Sequence, residues 1–400
     1  MKCKIINKPI SPFMSFGNMP IANGFLSQED FQNEFFFKME VGFSEKISLF
    51  QLNNFPEPKK MFNDNYPFFT GSSSNMVSHF KDYANWIKKN YLKENSKLIE
   101  IGSNDGTFLT NFKNTDVDFV GFEPSSNVAQ KARLKKIKTI NKFFNSKNLD
   151  EVQHFKKSTD VISAANVICH IPDMNEMISA VEELLNDKGV FIFEEPYLGS
   201  MFKKTSFDQI YDEHIYIFSA HSIKKIFNLH NFDLIDTIPQ ITHGGSMRYV
   251  IGRRNKHDIN ANVKKVLADE QHLKLDKIES CIDFKKRCEN LKNSINLKLQ
   301  EFKKDGLKIC GYAATSKSTT VLNYCKIGPE IIDFICDTTP EKIGKFSPGM
   351  HIPIKSLSYF QDNLPDIAYL FAWNHKNEIF SKEKDFNNSS NRKWFSHVAL

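Results

Sequence analysis

From residue 97 to about residue 250, short apolar runs alternate with helical patterns. The runs are "KLIEIG", "DFVGFEP", "DVISAANVI" and "GVFIFEEP", with "SNVAQKARLKK" and "MNEMISAVEELLND" between them. Strands buried on both faces read as continuous apolar runs, and parallel neighbours need helical crossovers. The rhythm therefore predicts an α/β fold, a Rossmann-like parallel sheet with helices on both faces. "FDLIDTIPQITHGGSMRYVIGRR" adds two late strands, expected to be antiparallel at the sheet edge.

Around that core the 400-residue chain is too long for one ordinary domain. Residues 1–75 show short strand candidates separated by turn residues and predict a small irregular domain. Residues 76–256 carry the alternating core, opened by the amphipathic helix "VSHFKDYANWIKKNYL" behind a Ser-rich cap. Residues 257–305, rich in Lys, Glu and Leu, predict connecting helices. Residues 306–400 repeat the strand–turn–helix pattern in "LKICGYAAT", "IIDFICDTT" and "DIAYLFAWN" and predict a smaller α/β domain.

The formal charge of +6 suits an anionic ligand, but the basic residues are mixed with acids along helix faces. Nucleic acid is not expected as a partner. No apolar run reaches the roughly 18 residues of a membrane span, and "MKCKIINKPI" lacks a secretory apolar centre. The seven Cys residues include no C-x-x-C pair, which predicts free thiols and a cytoplasmic protein.

Ligands of open parallel sheets bind beyond the strand carboxyl ends. "LIEIGSNDG" places Glu100, Gly102, Asn104, Asp105 and Gly106 there. The next strand ends in Glu123 and Pro124, and the third leads to Asn166. A carboxylate at Glu123 suits a ribose diol, and Asn166 suits an adenine edge. A dinucleotide would want G-x-G-x-x-G, and acids repel pyrophosphate. Acids welcome a sulfonium and an ammonium, so S-adenosylmethionine fits better.

"YDEH" gathers Tyr211, Glu213 and His214, able to combine proton donor, orienter and base. His170 follows the third strand at the same edge. "THGGSMRYV" offers His243, Gly245, Ser246 and Arg248. Arg binds phosphate bidentately, and glycines allow close approach. "GYAATSKSTT" presents Lys317 with Ser316, Ser318 and Thr319 at a helix start, suited to a diphosphate.

In order along the chain, "IEIGSNDGTFL", "GFEPSSNVA", "ANVICHIPDMN", "EEPYLG", "YDEHIYIFS", "HGGSMRYV", "GYAATSKSTTVLNY" and "SPGMHIPI" resemble the motifs of three-domain sugar C-methyltransferases of deoxysugar biosynthesis. The resemblance runs from about residue 15 to residue 375. It implies a zinc-binding N-terminal domain, a class I methyltransferase domain and a C-terminal domain that helps hold a nucleotide sugar. It implies methyl transfer to a carbon beside the ketone of a nucleotide-linked 4-keto sugar, through a base-generated enolate. It carries Tyr211, Glu213 and His214 as active-site residues and the "THGGSMRYV" residues as nucleotide-sugar contacts. It also places a Tyr near Tyr66, with Phe68 as the alternative alignment.

One departure concerns the metal. Family members pair cysteines twice, but here Cys3 faces Ile6, and "VGFSEKISL" has no Cys. A structural zinc needs four ligands, so the expectation is the domain's shape without metal. Methyl transfer to sugar oxygen or nitrogen, and a non-catalytic sugar-nucleotide binder, are the alternatives. The sequence leaves the sugar, the methylated position and the oligomeric state open.

Overall fold

The chain opens with three antiparallel strands, β1 (Pro12–Pro20), β2 (Phe36–Ser44) and β3 (Leu49–Leu52). The structure, a computed structural model, describes residues 1–64 and 66–400. The N-terminal corner is apolar where a metal would sit. Cys3, Ile5, Ile47 and Leu49 are buried together, with Ile6 packed against them. Buried Gln51 stitches the corner: its Oε1 accepts from the Lys4 amide at 3.0 Å and its Nε2 donates to the Lys2 carbonyl at 3.3 Å. One thiol among aliphatic side chains does not fit a four-ligand zinc site. All seven Cys side chains are buried and unpaired.

A linker leads to the helix Ser74–Tyr91, capped by Ser73, whose side chain accepts from the Met76 amide. Met76, Phe80, Tyr83, Ala84 and Ile87 recur at helical spacing and form its buried face. The central sheet follows. Its strands are β4 (Lys97–Ile101), β5 (Asp118–Phe122), β6 (Thr139–Ile140), β7 (Thr159–Ala165) and β8 (Leu185–Pro196). After the catalytic-loop candidates come β9 (Tyr216–Ile217), β10 (Phe232–Gln240) and β11 (Ser246–Arg253). The sheet order is β10-β11-β8-β7-β4-β5-β6. The last two strands in sequence are antiparallel at the edge, as the pattern predicts. Leu98, Ile99 and Ile101 of β4 are fully buried, as expected for a central strand covered on both faces.

β9 does not join this sheet. It pairs with β3, with Phe50 opposite Ile217 and Gln51 opposite Tyr216, so the N-terminal sheet runs β1-β2-β3-β9. The segment just after His214 is therefore part of the N-terminal domain's sheet.

The connecting region forms two helices, Ala261–His272 and Ile278–Lys304. The longer one packs on β1, β2 and the helix Ser316–Cys325, bracing the two outer domains. The C-terminal strands are β12 (Ile309–Tyr312), β13 (Ile335–Asp337), β14 (Ile354–Ser356), β15 (Ile367–Leu370) and β16 (Lys393–Phe395). They form a parallel sheet in the order β14-β13-β12-β15-β16. In both large sheets the first strand in sequence, β4 or β12, lies where the strand order reverses. Such a switch point opens a crevice at the strand ends. Both crevices open into one cavity.

Candidate active site

The cavity measures about 1600 Å³ and takes its walls from all three domains. At its β4 end, Glu100 is buried, and its Oε2 has no hydrogen-bond partner among the described residues. Burial raises its pKa well above the usual range, and Asp105 and Glu123 add to the effect. Burial likewise raises Glu123 to about 7, although it accepts from the Asn104 amide at 3.0 Å and the Ser125 amide at 2.8 Å. Asn166 borders the cavity with an unpartnered Oδ1. Two desolvated acids and an orphaned amide oxygen fit a cationic adenosyl ligand: Glu100 and Asn166 gain a partner they lack, and Glu123 gains a further one.

Other cofactor-loop predictions have different work. Asn104 accepts from the Thr70 amide at 2.9 Å and donates to the Phe68 carbonyl at 3.2 Å. Asp105 accepts from the Gly71 amide at 3.1 Å and pairs with Lys135 at 2.9 Å. These two side chains strap the linker over the loop after β4, and both border the cavity. Gly102 and Gly106 adopt positive φ, +67° and +75°. A side chain at Gly102 would strike Val167, and one at Gly106 would meet Ile137 at 2.9 Å. Both serve packing of the loop; Gly102 also borders the cavity, as does Pro124, whereas Gly106 does not.

Beyond the cofactor end lies the Tyr–acid–His cluster. Its loop follows the short helical turn Phe207–Gln209 and is held by backbone contacts. His214 Nδ1 donates to the Gln209 carbonyl at 2.7 Å, which leaves Nε2 as the acceptor. Tyr211 donates its hydroxyl to that Nε2 at 2.7 Å. Burial holds His214 well below the ordinary imidazole range, and His170 reinforces this. His170 stacks on His214 with ring centroids 5.4 Å apart, and burial lowers its pKa to about 3. Its Nε2 is buried without a partner among the described residues. Both rings are thus neutral, with lone pairs to offer.

Ligand atoms of Cys169, His170 and His214 lie within 4.8 Å of one another. They do not make a convincing metal site. Both His214 nitrogens are already engaged, and the two imidazoles are stacked at 22° instead of converging in plane on one point.

Glu213 receives the Tyr66 hydroxyl on Oε2 at 3.2 Å and Asn23 Nδ2 on Oε1 at 2.6 Å. Tyr66, not Phe68, thus reaches the cluster. Phe68 is half exposed at the cavity wall. Burial raises the Glu213 pKa, while the bonds from Asn23 and Tyr66 pull it back.

The "THGGSMRYV" residues divide. His243 borders the cavity with an unpartnered Nε2. Arg248 does not border it: the guanidinium is buried in an ion pair with Glu194 at 2.6 Å and stacks on Tyr83 and Trp86. The expectation of a phosphate-binding Arg248 is corrected, because its charge is already neutralised inside the sheet. Gly245 and Ser246 also lie off the cavity. The Gly245 carbonyl accepts from the Tyr197 amide at 3.1 Å, and Ser246 Oγ donates to the Thr242 carbonyl at 3.1 Å. Lys317 and Ser316 border the cavity, and the Lys317 ammonium has no ion pair or hydrogen bond among the described residues. Thr319 and Ser318 are spent elsewhere: Thr319 Oγ1 donates to the Ala22 carbonyl at 2.8 Å, and Ser318 caps its helix.

Four residues escaped sequence reasoning. Asn23 sits in "MPIANGFL", where nothing in the composition marks it. Glu195 Oε1 accepts from the Val167 and Ile168 amides at 3.0 and 2.6 Å and so shapes the loop that carries His170. Burial raises Glu195 to about 7. Asp208 accepts from the Trp373 indole at 2.7 Å and lies 3.2 Å from His397 Nε2, tying the catalytic loop to the C-terminal domain. Glu194, which neutralises Arg248, also accepts from His79 at 2.6 Å.

Comparisons with known proteins agree with this layout. A family model described as a putative zinc binding domain matches residues 3–62. One described as a methyltransferase domain matches residues 74–237, and a C-methyltransferase C-terminal domain matches residues 241–398. C-methyltransferase NovU of Streptomyces niveus is 29% identical over 376 residues, covering 93% of this chain and 89% of NovU. Among solved structures, the PH0226 protein of Pyrococcus horikoshii is similar at 15% identity, over 50% of this chain and 100% of its own, with a TM-score of 0.38. The CurJ carbon methyltransferase is similar at 15% identity, over 50% of this chain and 62% of its own, with a TM-score of 0.37. Neither structural likeness is close enough to bear on the assignment. With three domain matches laid end to end along one cavity, the chain belongs to the three-domain C-methyltransferase family and is an S-adenosylmethionine-dependent methyltransferase.

Proposed function

We propose that the protein transfers a methyl group to a carbon adjacent to the ketone of a nucleotide-linked 4-keto deoxysugar. The observation that supports this best is the extent of the cavity. A single small ligand fills roughly 300–1,000 Å³, and about 1600 Å³ leaves room for two. Glu100, Glu123, Asn166 and the linker border the cofactor end. When bound, S-adenosylmethionine supplies an electrophilic methyl group. At the far end, the helix Ser316–Cys325 starts beside unpaired Lys317, and Asp337 closes β13 with its carboxylate held by the Ala314 and Thr339 amides at 2.7 and 2.8 Å. An amide-rich helix start plus a free ammonium suits a diphosphate.

Between the ends, a carbon acid needs a base and a stabiliser for the enolate oxygen. His214 Nε2 takes the proton from the carbon beside the ketone. The Tyr211 hydroxyl, released from Nε2, donates to the oxygen on which charge develops. Burial keeps His214 neutral beforehand, so its lone pair is available at neutral pH. His170, also neutral, backs the ring and restricts its rotation. The likeness to C-methyltransferase NovU favours carbon over oxygen as the acceptor.

The test is incubation with S-adenosylmethionine labelled in its methyl group and a panel of nucleotide-linked 4-keto sugars. Expected is a methylated product and, without methyl donor, deuterium exchange at C3 or C5. A product methylated on oxygen, with no exchange at carbon, would sink the proposal.

A further inference from the structure

We infer that Asn23 is a positioning residue for the transfer: it holds the Glu213 carboxylate so that the Tyr66 hydroxyl points at Glu213 and turns its lone pairs to the acceptor. The inference rests on the proposed acceptor seat at His214 and Tyr211, beside which Glu213 and Tyr66 also border the cavity.

Asn23 borders the cavity and donates to Glu213 Oε1 at 2.6 Å, while Tyr66 donates to Oε2 at 3.2 Å. Both oxygens of one buried carboxyl therefore act as acceptors. Were Glu213 protonated, it would donate to Tyr66, and the phenol hydrogen would be freed toward the cavity. Asn23 meets Oε1 with its donor Nδ2, and a hydrogen bond given to the charged form weights the balance toward the carboxylate.

Asn23 itself is fixed through its neighbour Ala22 from two sides. The preceding Ala22 amide donates to Asp212 Oδ1 at 3.1 Å, and the Ala22 carbonyl accepts from Thr319 Oγ1 at 2.8 Å. The N-terminal domain thus touches the catalytic loop and the C-terminal helix at two adjacent residues. The pairing of β3 with β9 holds the loop from its other end. Asn23 and the linker's Tyr66 grip one carboxyl from opposite oxygens. A domain without zinc ligands retains this task.

The groups around Glu213 are Asp212 and Tyr211 from its own loop, Tyr66 from the linker, Cys169 from the loop after β7, and Glu123 beyond Tyr66. None of them brings a positive charge to Glu213, and burial is what opposes its charge. Asn23 and Tyr66 supply the side-chain hydrogen bonds that favour it.

The test has two readouts. In the first, infrared difference spectra of the cofactor-free protein follow the carboxylate band against pH, with Glu213→Gln as the baseline. A carboxylate gains about one pH unit of acidity per donated hydrogen bond. Asn23→Ala should therefore move the Glu213 midpoint up by about one unit. This readout needs no acceptor, so it stands even if the proposed substrate is wrong. In the second, kcat/KM is followed against pH. Asn23→Ala moves the acid limb upward by the same amount. Asn23→Asp, which is isosteric, creates a carboxyl pair that shares one proton. That proton reproduces the lost donation, so its activity survives at low pH and falls as pH rises, opposite to the wild type. Cofactor affinity measured by calorimetry reports folding of each variant; if Asn23→Ala fails to fold, Asn23→Asp alone decides. An unmoved Glu213 midpoint, or losses by a factor independent of pH in the folded variants, overturns the inference.

Discussion

Tyr211 gives its hydroxyl hydrogen to His214 Nε2 at 2.7 Å, while the opposite nitrogen of that ring gives its own to the Gln209 carbonyl. The two bonds assign the tautomer and put the single imidazole lone pair beside a phenol. His214→Asn should abolish turnover and carbon exchange while leaving cofactor affinity within about twofold, since the ring lies beyond the β4 end. Tyr211→Phe should lower kcat and the exchange rate together by about 10²–10³, the usual cost of an oxyanion donor. Unchanged exchange in His214→Asn would remove it as the base.

Glu100 and Glu123 should make cofactor binding release protons. Burial raises both carboxyls in the free protein, Glu123 to about 7. A bound cation restores their charge. Affinity should then increase with pH through the range near 7 in which Glu123 ionises. Calorimetry in two buffers of different ionisation enthalpy reads the proton release directly. Equal heats in both buffers at pH 6 would contradict it.

The same shifts act on stability with the opposite sign. A carboxyl whose folded pKa lies above its unfolded value binds more protons when folded, so stability falls as pH rises toward the folded pKa. Glu123 and Glu195, both raised to about 7, should lower the Tm of the ligand-free protein between pH 5 and 7.5. Adding S-adenosylmethionine should return more of that loss at pH 7.5 than at pH 5. Scanning calorimetry across this range checks both trends.

Arg248→Met should cost about 3–5 kcal/mol, because it strands the buried charge of Glu194. The KM for the nucleotide sugar should stay unchanged in the folded fraction. Chemical denaturation and steady-state kinetics separate the two effects; a large KM increase at full stability would return Arg248 to the substrate site.

Chelation should leave the N-terminal domain intact. Prolonged dialysis against phenanthroline is expected to shift Tm by less than about 1 °C, whereas loss of a structural zinc unfolds small domains. Cys3→Val, which keeps the apolar volume, should cost under about 1.5 kcal/mol. Stoichiometric zinc in the purified protein would refute the metal-free corner.

Periodicity made the central sheet legible. β4, β5, β7 and β8 and the edge pair β10 and β11 follow from apolar runs, because burial on both faces leaves no other composition for such strands; the two-residue β6 has no such run. Acids at strand tips stand out against that background, which is why the position of Glu100 and Glu123 at the cavity was readable. Arg248 was misread for the opposite reason. Its partner Glu194 lies 54 residues away, on the neighbouring strand, and a charge cancelled across a sheet looks free in one dimension. Asn104 and Asp105 border the cavity as their place after β4 suggests, but their second task, holding linker amides more than thirty residues upstream, does not show in the sequence. Asn23 was invisible: an Asn in a turn-rich segment looks like a turn residue until the fold carries it 190 residues along the chain to Glu213.

The two-residue strand β9 has a consequence for how such a chain could be shortened. Cutting away the first fifty or so residues would not leave a smaller working enzyme. It would leave a loop with nothing to clip its downstream end, and an imidazole free to swing away from its phenol. The outer domain acts as a jig, and its shape is retained by what it aligns, whether or not it still carries an ion.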